Sequence, residues 1–189
     1  MIDASPVFAH SSYSFDSKRS SISAQVKKCL EDIYQLDPFI AESLLQKISQ
    51  APLSLLDDFI CLSQTVALLS HKTPREPRLS ALAETDATLL APESHRVLFE
   101  NDLIRILESN IQSGEFVPAH THQWDSVMLI LQGSKFLIQS ASGIQSEGTW
   151  EPGVEKFPGS LDFDAYTNIG AREFRAISFE LKKQTTYQN

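Results

Sequence analysis

The spacing of apolar residues changes once along this 189-residue chain, near Ala91-Pro92, and that change limits the folds open to it. Before it, Ile22, Val26, Cys29, Leu30, Ile33 and Leu36 recur three and four apart, the stripe of an amphipathic helix. Asp37-Pro38 offers an N-cap followed by proline at the first helical position. Phe39, Ile40, Leu44, Leu45 and Ile48 continue a second helix, which Ala51-Pro52 ends. Ser54 is placed to cap a third, with Asp57 and Asp58 near the positive end of its dipole and Leu55, Phe59, Leu62, Val66 and Leu69 on its apolar face. After residue 95 the runs become short, β-branched and aromatic: Val97–Phe99, Leu103–Leu107, Phe116-Val117, Val127–Leu131, Phe136–Ile138, Phe157, Asp162–Asn168 and Phe174–Leu181. Turn signals such as Ser113-Gly114, Gly133-Ser134, Ser142-Gly143 and Pro158-Gly159 separate them. About eight closely spaced strands imply an antiparallel double-sheet jelly roll or small barrel preceded by helices, a mainly β fold with an α-helical extension. The expected organisation is a loose arm over 1–20, a helical extension and linker over 21–92, and a barrel over 93–183.

The stretch from Gly114 to Gly133 carries the chemistry of the strand half. His120 and His122 lie two apart, so on a strand they project from one face. The nearly unbroken apolar run Val127–Leu131 that follows reads as a strand buried on both faces. A polar pair backed by a buried strand is what a metal or ligand pocket inside a barrel needs, and imidazole suits zinc, iron, copper and nickel.

In its spacing, this stretch resembles the first motif of the cupin superfamily, G-x5-H-x-H-x3-E-x6-G, at Gly114, His120, His122 and Gly133. Ser126 stands where that motif has Glu, with Asp125 just before it. The segment Phe157 to Asn168 is similar to the second motif, keeping its Asn as Asn168 but placing Asp164 at the His position. The resemblance covers roughly residues 93–183 and implies a cupin barrel, a divalent transition metal (Fe, Zn, Ni or Mn) and a small polar metabolite in the cavity. The motif alignment assigns His120, His122 and Asp164 to the metal, a two-His, one-carboxylate set of the kind non-haem Fe(II) oxygenases use. Tyr166 shares a strand face with Asp164, and Ser126 takes the missing Glu position, which makes both candidates for substrate contact. Within the superfamily the chain also resembles thiol dioxygenases, which have an N-terminal helical part, lack the same Glu, hold Fe(II) with three histidines, and bind the substrate carboxylate through an Arg on an earlier strand. Arg105 is the residue here that matches that Arg, with an outward-facing charge as its other reading. His95, ahead of the first strand, is a remote further ligand, and His10 and His71 fall outside the barrel.

Three readings remain open from sequence: a mononuclear metal enzyme with dioxygenase-like chemistry; a non-catalytic sensor or binding module with a degenerate metal site, metal-loaded or not, acting through its helices or as a homodimer; and a structural homodimer in which the barrel's apolar outer face pairs with its twin. Val127, Leu129 and Leu131 share one strand face and Met128 and Ile130 the other, so the outer apolar face must meet the helices, the second sheet or a second subunit, and a homodimer is expected. A net charge of −8 argues against a nucleic-acid surface. Without an apolar signal core or a run long enough to span a bilayer, the expectation is a cytoplasmic protein with no membrane partner. Cys29 and Cys61 are read as buried free thiols rather than a disulfide or zinc signature.

Overall fold

The computed structural model describes residues 10–70, 84–157 and 160–182. The helical part comprises α1 (His10–Asp32), α2 (Pro38–Ile48) and α3 (Leu53–Ser70), followed by the single turn α4 (Ala87–Leu90). Asp37 caps α2 as its sequence implies, its Oδ1 accepting from the Phe39 amide at 2.8 Å, with Pro38 at the first helical position. Two boundaries differ from expectation. Helix α1 begins at His10, well inside the stretch read as a loose arm, and the Arg19 guanidinium ties it down by donating to the Ser49 and Ala51 carbonyls. Helix α3 begins at Leu53, where the Pro52 carbonyl accepts from Leu55 and Leu56, so Ser54 lies inside the helix and the exposed Asp57 and Asp58 fall past its first turn. The remainder of the expected arm, residues 1–9, and the stretch 71–83 with His71 lie outside the described residues.

Among the described residues nine strands follow: β1 (His95–Glu100), β2 (Ile104–Ile111), β3 (Phe116–His122), β4 (Ser126–Gln132), β5 (Ser134–Gln139), β6 (Gln145–Trp150), β7 (Gly153–Phe157), β8 (Ser160–Asn168) and β9 (Phe174–Leu181). They form a five-stranded sheet ordered β1-β2-β9-β4-β7 and a four-stranded sheet ordered β3-β8-β5-β6, with every ladder antiparallel. This is the expected jelly roll. Strand β6 (QSEGTW) escaped the sequence reading because it is an edge strand, polar and mostly exposed, with no apolar alternation to detect.

The five-stranded sheet separates two cores. Its outer face presents Ile104, Ile106, Val127, Leu129, Ile177 and Phe179 to the helices. Phe179 stacks on Tyr34 at 4.8 Å and meets Phe59 at 4.9 Å between ring centroids. Lys47 of α2 pairs with Glu108 on β2 at 3.2 Å. The helices thus supply the cover for which a second subunit was one expected source. Burial pushes the Cys29 thiol up to about 11, whereas Cys61 is exposed rather than buried, because it falls on the solvent side of α3. The second core lies between the sheets and contains Ile111, Val117, Ile130, Phe136, Phe174 and Ala176. The candidate site borders this inner core.

Candidate metal centre

Period-two geometry sends Arg105, Leu107, Ser109 and Ile111 of β2 to the inner face, and the antiparallel register sets Arg105 opposite Glu180, Glu180 opposite Ser126, and His95 opposite Ser109. From the facing sheet, β3 directs His120 and His122 into the same space. The ring centroids of His95 and His120 lie 4.7 Å apart, those of His95 and His122 5.5 Å, and those of His120 and His122 5.3 Å. One ligand nitrogen from each ring lies within 4.8 Å of the others.

Each ring is fixed through Nδ1. His95 Nδ1 bonds to the Ala91 carbonyl at 3.2 Å, His120 Nδ1 to the Pro118 carbonyl at 2.8 Å, and His122 Nδ1 to the Glu180 carboxylate at 3.0 Å. These oxygens accept, so each Nδ1 carries a proton, and in the neutral ring that leaves Nε2 as the nitrogen able to bind a metal. Three imidazoles held in that tautomer by carbonyl or carboxylate partners match the way protein metal ligands are oriented. Burial, together with the neighbouring His122 and His120 rings, holds His95 well below the ordinary histidine range. His120 is lowered chiefly by burial as well. Both stay neutral at pH 7, so a metal need not displace a proton.

Beside the triad lies a buried charge cluster. Arg105 forks onto Asp86, with Nη1–Oδ1 at 2.8 Å and Nη2–Oδ2 at 2.9 Å, and its Nε pairs with Glu180. Asp86 also accepts from the Thr88 amide and hydroxyl and from Gln123, while the Trp124 ring lies 4.5 Å from the guanidinium carbon. One cation and two carboxylates leave a formal −1 next to the histidines, which favours a bound cation.

The structure redistributes the expected site residues. His120 is buried and His122 half-buried, as a pair on one strand face. Asp164 is opposite His120 in the β3–β8 ladder and half-buried, yet the close ligand group contains His95 in its place. Tyr166 lies near His120, ring centroids 5.6 Å apart, and Ser126 is buried at the start of β4. Arg105 is 3% exposed, so its outward-facing reading is wrong, and its guanidinium forks onto Asp86 and bonds to Glu180. Sequence reasoning ranked His95 low because it lacks a motif partner. The usable signal was that the barrel half holds only three histidines, and all three converge. Among the described residues, nothing marked Asp86 and Glu180 in advance.

A pocket of about 70 Å³ opens between the sheets at His122, lined further by Ser109, Ser126 and Ser178 and by an apolar wall that includes Phe136, Trp150 and Tyr166. That is room for several waters or part of a small organic molecule. No helix of the described residues is long and apolar enough to cross a membrane.

No protein-family model matches the sequence, and no curated protein matches it significantly. Solved structures do. A cupin domain from Bordetella pertussis Tohama I is 18% identical with a TM-score of 0.42, the match covering 47% of this chain and 92% of that one. An RmlC-like cupin family protein with a double-stranded β-helix fold from Methanocaldococcus jannaschii is 12% identical with a TM-score of 0.37, covering 47% and 78%. The polyketide cyclase RemF from Streptomyces resistomycificus is 15% identical with a TM-score of 0.35, covering 50% and 71%.

Proposed function

We propose, taking the barrel as a cupin, that this chain is a mononuclear metal protein in which the Nε2 atoms of His95, His120 and His122 hold one divalent transition metal and the adjoining pocket admits a small organic ligand to it. The observation that carries this reading is the convergence: three rings from two strands meet, and each has its Nδ1 on an oxygen acceptor. Three histidines leave coordination positions open, as catalytic rather than structural sites do. A bound iron there supplies oxygen chemistry and a bound zinc supplies Lewis-acid chemistry. The enzymatic reading is therefore a metal-dependent, oxygenase-type activity. The chain's own residues set what reaches the metal. Ser109, Ser126 and Ser178 offer hydroxyls on one side of the pocket, while Phe136, Trp150 and Phe174 form a largely apolar wall. Among the described residues no lysine, arginine or carboxylate lines the pocket, and Arg105 is engaged by Asp86 and Glu180, so a substrate carboxylate anchored by that Arg in the thiol dioxygenase manner has no support. The ligand fits better as a molecule with one metal-binding polar end and an apolar body.

Untagged protein equilibrated with Co(II), Zn(II) or Fe(II) and then desalted should retain about one metal per chain. Replacing any one of His95, His120 or His122 by Ala should lose it, whereas Asp164→Asn should keep it. Retention by His95→Ala with loss by Asp164→Asn would restore the two-His, one-carboxylate set and remove the three-His reading.

A further inference from the structure

We infer that Arg105 is a positioning residue for the metal site: by holding one oxygen of Glu180, it forces the other onto His122 Nδ1 and so keeps the His122 Nε2 lone pair directed at the metal. This rests on the proposed three-His site, but its cause lies in the chain alone. Glu180 is wholly buried and divides its two oxygens, Oε2 to Arg105 Nε and Oε1 to His122 Nδ1. Arg105 is held in turn by the two-point fork to Asp86, whose own orientation is fixed by Thr88 and Gln123. The guanidinium has only donors, so it always demands an acceptor from Glu180. The order Asp86, Arg105, Glu180, His122 therefore sets a proton on His122 Nδ1.

The short helix α4 strengthens the inference. Asp86 caps its N-terminus, and the Ala91 carbonyl at its C-terminal end accepts from His95 Nδ1. One connector thus orients two of the three ligands, His95 directly and His122 through Arg105 and Glu180.

Glu180→Gln gives a directional test. The amide has one acceptor and one donor end, and Arg105 claims the oxygen, so the NH₂ falls on His122 Nδ1. His122 must then accept at Nδ1 and carry its proton on Nε2, the wrong tautomer for a ligand. Nearly isosteric, the change should weaken Co(II) affinity by roughly 10–100-fold, measured against a competing chelator. In metal-free protein, ring ¹⁵N shifts should move the His122 proton from Nδ1 to Nε2 while leaving His95 and His120 unchanged. Arg105→Lys, which keeps the charge but loses the fork, should also weaken Co(II) binding, whereas Glu108→Gln on the outer face of β2 should not. If wild-type protein binds no metal, the proposed function fails, and the tautomer measurement alone decides this inference. If wild type binds metal but Glu180→Gln leaves both affinity and tautomer unchanged, the inference is overturned. Unchanged affinity in Arg105→Lys would overturn the part assigned to Arg105.

Discussion

Asp86 shows how much a single buried acid contributes here. It is 2% exposed, and burial alone would raise its pKa; the hydrogen bonds from Arg105 and Thr88 and the guanidinium charge outweigh that and hold it at about 2 against an ordinary 3.8. The folded value lies below the unfolded one, so this stability is fully present above about pH 4 and is lost as pH falls toward 2. The magnitude is about 2 kcal/mol. Acid titration of unfolding free energy should show that loss in wild type, and Asp86→Asn should flatten the curve between those pH values while lowering stability at pH 7. An unchanged slope would mean that the pair with Arg105 contributes nothing to folding. Neither Asp86 nor Glu180 was legible in the sequence, because buried acids are recognised by their partners, and beyond the local Thr88 the partners of Asp86, Arg105 and Gln123, come from 19 and 37 residues away. His120 and His122 were legible because their spacing on a strand is local. His95 needed the pairing of β1 with β2 and the closure of one sheet over the other, which a one-dimensional pattern does not contain.

Among the elements, the two motif glycines were legible but act for different reasons. Gly114 has φ of +80°, a conformation that side-chain-bearing residues rarely adopt, at the turn into β3. Gly133 is the single residue between β4 and β5, where the chain passes from one sheet to the other. A Cβ there would lie 2.1 Å from the Trp150 carbonyl oxygen and 2.9 Å from the Glu151 Cα. Both obstacles are backbone, so the β6–β7 turn must move, and Trp150 lines the pocket. Gly133→Ala should destabilise the fold by at least about 1–3 kcal/mol in denaturant unfolding and alter Trp fluorescence. A variant as stable as wild type would show that the turn yields freely. The second-motif Asn is also structural: Asn168 is fully buried, donates to the Ile111 and Arg172 carbonyls, and accepts from the Ser134 hydroxyl and the Gly170 amide. It locks the β8–β9 turn to β2 and β5.

At the scale of the molecule, the five-stranded sheet has a chemical face and a structural one, and the helices belong to the second. Phe59 of α3 is wholly buried against Phe179 and Tyr34, on the side of the sheet away from the histidines. The alternation of β9 makes this separation strict, because Phe179 points to the helices while its neighbours Ser178 and Glu180 point to the pocket and to His122. Phe59→Ala removes a ring from a packed core and should lower the unfolding free energy by about 3–5 kcal/mol. Under conditions where the variant is still folded, its Co(II) affinity should match wild type, since His95, His120, His122 and Glu180 are not among the residues of that core. A stability loss below about 1 kcal/mol would mean that the helices do not dock on this face, and the case for a second subunit covering it would return. A fully folded variant with weakened Co(II) binding would instead show that the two faces are coupled through β9, giving the helical extension a part in the chemistry as well as in the packing.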